Sequence, residues 1–480
     1  MNAKIRVEQT RRELNQLRSD VRSWLDKRKI ADAKLRQYQT QLNLLGGLLE
    51  KSLSDLESSL GNMISSQVRS TYSECRLYDQ RLAWVRSIWE YFRVKFDQRD
   101  DARLAGVLAA ADEVVWSCYT EVYQNIPAQT PEVVLGSAPL PYIEPRYSPQ
   151  AVPRYEPPPG LKSDADPKFI QDYLNQLPIP VVSMPSSCVS APWWLVLLGH
   201  EVGHHVQYDL LPNTRLISDF GNLLEGAVGG DQEPASDVKD EKRWSNWGRE
   251  IFADVFSILS MGPWAIYAMT EMETSDDTSM LKSKALYPSP IVRLALMARV
   301  ASELGLDNQA LIPELDVKEL LRDEPLIDKG QDLRDIARRD LEFVPRIANS
   351  IVHSPVGDAG LLKDLCGWDA DNFGPGETVD DWTRSFRQQM PLYPEMSLRA
   401  ARMAISGLMS AWSQVTGIED DEEREKELTI LERKEILETI AKSREAKTRA
   451  IAPPPKISGE DLGAKLAQLL VDAGPEDLRP

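Results

Sequence analysis

The stretch LLGHEVGHHVQYD, residues 197–209, holds three of the four histidines in the chain; the fourth is His353. It lies within SAPWWLVLLGHEVGHHVQYDLL (190–211). This reads as one long apolar helix, with Pro192 in its first turn, where the missing N–H costs nothing. His200 and His204 are four residues apart, so on a helix both imidazoles share one face about one turn apart. One small cation can bridge two nitrogens so placed. Unpaired His and Glu side chains in so apolar a helix would be costly to bury. His205 points to another face and reads as a second-layer or surface residue.

Glu201 follows the first histidine and lies alongside a cation held by the pair. His-Glu-x-x-His on a helix is the arrangement of zinc-dependent peptidases. There zinc makes water acidic enough to ionise near neutral pH, and the Glu takes the proton. A tetrahedral zinc needs a further protein ligand. WGREIFADVFS (247–257) supplies Glu250 and Asp254, again four apart on a predicted helix. Glu250 is the candidate third ligand. Asp254, one turn on, is placed to hold a ligating imidazole and fix its tautomer. A solvent-facing acidic pair is the plainer alternative, but Ile251, Phe252, Val255 and Phe256 around it indicate a buried helix.

Working outward, VFSILSMGPWAIYAM (255–269) reads as a buried helix pair broken at Gly262-Pro263. PIPVVSMP (178–185) is a proline-bounded β-branched run, hence a short strand. DPKFIQDYLNQL (166–177) reads as an amphipathic helix and DQEPASDVKDE (231–241) as a solvated loop. Residues 127–159 contain ten prolines in 33 positions, which suits an extended surface connector rather than a helix interior or a central strand. Upstream, Leu35, Tyr38, Leu42, Leu45 and Leu49, then Leu53, Leu56, Leu60 and Met63, form a heptad seam with one stutter. The seam serves either an intramolecular bundle or a coiled coil for self-association or partner binding. Gly46-Gly47 interrupts it as a candidate hairpin bend. Residues 305–450 alternate amphipathic helices with polar turns. APPPK (452–456) is a linker and GEDLGAKLAQLLVDAG (459–474) a last short helix.

The chain has 480 residues and a net charge of −18, which argues against nucleic acid as the main partner. Residues 1–40 carry eleven Lys/Arg against five Asp/Glu, while GIEDDEEREKE (417–427) is acidic; both read as solvated helix surface. No apolar window is long enough for a membrane span, and the N-terminus lacks the features of a signal peptide. Cys75, Cys118, Cys188 and Cys366 are scattered without CxxC spacing, which indicates free thiols and a cytoplasmic location. Cys188 could reach a metal as an inhibitory thiolate, but reads better as a buried inert thiol.

HExxH followed on a later helix by ExxxD resembles the gluzincin metallopeptidases. GHEVGHH and EIFADVFSILSMGP are most similar to the branch holding the CAAX prenyl proteases and HtpX-type heat-shock proteases, here as a relative without their membrane spans. YPSPIVRL (287–294) extends the likeness. Pro288, Pro290 and Arg293 fit, while Tyr287 stands where histidine is common. The resemblance covers about residues 178–300. It implies that a strand edge beside the zinc, here PIPVVSMP, pairs with an extended polypeptide substrate.

The resulting expectation is a mainly α protein with a zincin-like α+β core. Its parts are helices or coiled coil at 1–126, a proline-rich linker at 127–164, a zinc metallopeptidase core at 165–304, helices completing or covering that core at 305–450, and a linker with a terminal helix at 451–480. The expected activity is hydrolysis of a peptide or protein substrate with zinc held by His200, His204 and Glu250. Glu201 is the base, and Tyr287, Arg293 or His353 stabilises the oxyanion. The rival is a zinc-binding helical scaffold with an inactive peptidase-like domain. A latent enzyme, with the proline-rich or acidic segment over the cleft until a partner binds, is a further variant.

Overall fold

The leucine seam and the apolar runs do form helices. The computed structural model describes residues 2–31, 38–60, 68–126, 137–153, 161, 179–210, 215–229, 243–306, 317–390, 397–443 and 458–473. Its longer helices are α1 (Ala3–Ala31), α2 (Gln39–Leu60), α3 (Val68–Asp97), α4 (Ala105–Gln124), α5 (Leu198–Asp209), α6 (Arg215–Val228), α7 (Arg243–Met261), α8 (Trp264–Glu273), α9 (Pro290–Glu303), α10 (Leu333–His353), α11 (Thr378–Arg387), α12 (Ala400–Thr416), α13 (Asp421–Leu431), α14 (Lys434–Ala441) and α15 (Gly459–Asp472). The strands β1 (Leu140–Glu144), β2 (Gln150–Val152) and β3 (Val181–Pro185) form one small sheet. The protein is therefore mainly helical with a small sheet. No helix among the described residues is long and apolar enough to cross a membrane.

The seam closes within the chain. Leu42, Leu45, Leu49, Leu53, Leu56 and Leu60 are buried with Leu14, Leu17 and Val21 of α1, Val85, Phe92 and Phe96 of α3, and Leu466 and Leu470 of α15. The bundle alternative holds, and a seam so covered is not open to a second copy; Leu35 and Met63 lie outside the described residues. Gly46-Gly47 is no bend, because α2 runs straight through it. Its glycine instead admits α15, whose Gly459 Cα would lie 3.3 Å from a Cβ at Gly47, and a Cβ at Gly463 would collide with the Leu48 carbonyl oxygen. Small residues let the two backbones approach. Most basic residues of α1 are exposed, as on a solvated face, and some pair across the bundle: Arg22 with Glu50 at 2.8 Å and the buried Arg28 with Asp100 at 2.7 Å.

Residues 140–144 and 150–152 correct the linker reading of 127–164: they are strands. β3 is the central strand, parallel to β1 and antiparallel to β2. Prolines are excluded from central strands but tolerated at edges and strand ends; Pro141 lies in the edge strand β1, and Pro149 and Pro153 flank the edge strand β2. Side chains of β3 alternate between two cores. Val181 joins the bundle core, whereas Val182 and Met184 join a second, larger core built from α4 to α14. The division between cores does not follow the expected boundaries. α4 packs with the second core, the helices after 305 share it, and α15 returns to the first. The segments 166–177, 231–241 and 452–456 lie outside the described residues.

Candidate metal centre

The long apolar helix expected from residue 190 is in two parts. Pro192–Leu197 is a 3-10 turn, and α5 begins at Leu198. Every residue of α5 is buried. It crosses α7, which is buried continuously from Glu250 to Met261. The crossing depends on Gly203, where a Cβ would stand 2.9 Å from the Ala253 Cα. Any larger residue would hold the two helices apart. α7 ends at Gly262, whose φ of 64° suits glycine, and Pro263 precedes α8. The expected broken helix pair is thus present.

Close crossing brings the paired residues together. The Nε2 atoms of His200 and His204 are 3.2 Å apart. Glu250 places one oxygen 3.6 Å from His200 Nε2 and the other 3.7 Å from His204 Nε2. One donor atom from each lies within 4.8 Å of the others, the spacing of ligands about one cation. The set of two imidazoles and one carboxylate suits zinc. The two imidazoles and the carboxylate converge closely enough for one small cation to lie among them.

Behind His200, Asp254 Oδ1 lies 3.0 Å from Nδ1. Arg293 grips the same carboxylate with two bonds, Nε to Oδ2 at 2.7 Å and Nη2 to Oδ1 at 2.8 Å, and bonds Glu273 through Nη1 at 2.8 Å. Burial alone would raise the Asp254 pKa, but Arg293 and His200 hold it down at about 2. Burial would also lower that of His200, yet Asp254 and Glu250 push it up to about 10. His204 is lowered to about 3 by burial and by the charge of its neighbour His200. For Glu250, burial acts upward, but the two histidines and Arg293 bring the net shift down. The Glu201 carboxyl is raised, chiefly by burial, with the Ala151 main chain acting weakly the other way. A carboxylate so desolvated is a stronger base than one in water.

These donors face a cleft of about 300 Å³ lined by Leu197, Met269, Met272, Tyr287, the β2 segment and Arg249. No family model matches the chain, and no curated protein or solved structure does either. Its site is read from its own geometry.

Several expectations change here. Arg293 lines the cleft, with its guanidinium engaged by Asp254 and Glu273, so it anchors the carboxylate that lies behind His200. His353 ends α10, half-exposed and 3.5 Å from Glu303, and is not part of the cleft wall. Tyr287 does line the cleft and is 41% exposed. Its pKa is raised by burial and by the neighbouring Glu250 charge. His205 is fully buried rather than at the surface. Cys188 lies outside the cleft wall with its thiol pushed up to about 12 by burial, which makes it inert. The acidic stretch at 417–427 does not line the cleft either. Sequence reasoning missed Arg249, whose guanidinium lies 5.1 Å from the Tyr208 ring centre. Its place beside Glu250 was the only signal. PIPVVSMP offers no open edge: β3 is paired on both sides, and β2 is the strand at the cleft.

Proposed function

We propose that this chain is a zinc-dependent endopeptidase with a zincin-like core, acting on peptide or protein substrates in the reducing cytoplasm. The observation that carries this reading is the convergence of His200, His204 and Glu250 with Glu201 beside them on one cleft wall. Four free, buried cysteines support the compartment.

His200, His204 and Glu250 would hold the zinc. When bound, the ion supplies a Lewis acid that polarises a carbonyl and acidifies water. Asp254, fixed by Arg293, would hold the proton on His200 Nδ1 and leave Nε2 to act as a ligand. Glu201 takes a proton from the attacking water and delivers it to the leaving nitrogen. Its burial excludes competing solvent and favours proton uptake. Tyr287 donates its phenolic hydrogen to the developing oxyanion. The cleft opens along β2, which suits an extended chain passing through it rather than a terminus held in a closed pocket. The test is cleavage by the zinc-loaded chain against a Glu201→Gln control that retains the metal.

A further inference from the structure

In a ladder, successive residues turn their main-chain groups alternately toward and away from a given neighbour. The Leu140 N–H donates to the Pro180 carbonyl at 2.9 Å, so the even-numbered residues of β3 face β1. The odd residues Val181 and Ser183 face β2, where their partners are Val152 and Gln150. Ala151, between those two, therefore turns its N–H and C=O to the open edge. That edge lines the same cleft as Glu201. The next outward positions, two residues away on either side, are Pro149 and Pro153. Proline has no N–H to give. The cleft-facing edge thus offers a single donor, flanked by two positions where a ladder loses its donors.

We propose that Pro149 and Pro153 frame Ala151 as the single donor site for an extended peptide substrate, so that the cleft binds a short stretch of backbone. This rests on the peptidase reading of the cleft. A peptide laid on the edge exchanges one pair of bonds with Ala151. Beyond it the strand can accept bonds but not donate them, so longer substrates gain little main-chain affinity and are chosen by their side chains. The same frame keeps the open edge from recruiting a second copy.

The test uses the zinc-loaded full chain carrying Glu201→Gln, which lacks the base, and labelled peptides of four, six, eight and ten residues on one core sequence. Fluorescence anisotropy gives their dissociation constants. With both prolines present, affinity should level off beyond the shorter peptides. Adding Pro149→Ala and Pro153→Ala together should tighten the longer peptides by about three- to tenfold, the worth of one or two new hydrogen bonds. Ala151→Pro should weaken all lengths alike. Zinc content and circular dichroism verify that each variant is folded. Affinity that keeps rising with length while the prolines are present, or an unchanged length profile without them, would overturn the frame. Cleavage by the parent chain alongside such a result would sink this inference alone. Absence of both binding and cleavage would remove the peptidase reading as well.

Discussion

Replacing Asp254 with Asn keeps the side-chain shape and removes its charge. The carboxylate accepts bonds from Arg293 at 2.7 and 2.8 Å and lies 3.0 Å from His200 Nδ1. Asn has one acceptor oxygen, so its amide group must face at least one of these donors. Breaking a buried pair costs about 3–5 kcal/mol. Arg293 retains Glu273 at 2.8 Å, which places the expected loss of stability near the lower end, about 3 kcal/mol. His200 loses its brace, so zinc affinity should fall about 10–100-fold. Glu250→Gln should show the reverse balance. It removes a ligand outright, yet its closest approach to Arg293 is only 3.8 Å, so the fold should suffer less. Competition against a chromophoric chelator reads the zinc affinity, and urea unfolding of the metal-free protein reads the stability. The reasoning fails if Asp254→Asn binds zinc like the parent, or if Glu250→Gln is the milder variant for zinc.

Zinc binding should release about one proton per ion near neutral pH. His200, raised to about 10, is charged in the metal-free protein, whereas His204, at about 3, is already neutral. A ligand must be deprotonated, so apparent affinity should rise roughly tenfold per pH unit up to the His200 pKa and flatten above it. Calorimetry in buffers of different ionisation enthalpy measures this, and a slope of zero contradicts it. Gly463→Val should detach α15 from α2, because its Cβ would meet the Leu48 carbonyl oxygen and Lys51. Loss of helical signal and a lower melting temperature report it, with zinc binding retained. Tyr287→Phe should lower turnover while leaving zinc content intact, on the order of 10²-fold for a lost oxyanion donor. His353→Ala should change neither, and a turnover assay separates the two.

The residues of the candidate metal site were legible because their spacing is local. Two i,i+4 pairs, each in an apolar helix, predict both ligand faces without any knowledge of the fold. Their meeting depends on Gly203 and Ala253, a tertiary contact that no periodicity reports. Arg293 was legible as a residue of interest but not in its role, since its partners Asp254 and Glu273 lie on two other helices. The proline-rich segment misled because proline excludes central strands, while β1 and β2 are edges where it is tolerated. That same error placed the cleft strand on β3. The heptad seam from Tyr38 to Leu60 showed a buried face but could not show whose helices cover it. α15, more than 390 residues away from α2, covers part of it.

The most direct test is to load the full chain and its Glu201→Gln variant with zinc, measure metal content in both, and map new N-termini generated in a complex mixture of proteins. The account predicts about one zinc per chain in each, with new N-termini only where Glu201 is intact. Equal cleavage by both proteins would remove Glu201 as the base. Stoichiometric zinc in both with no cleavage by either would contradict the peptidase assignment and leave a metal-binding protein without this chemistry.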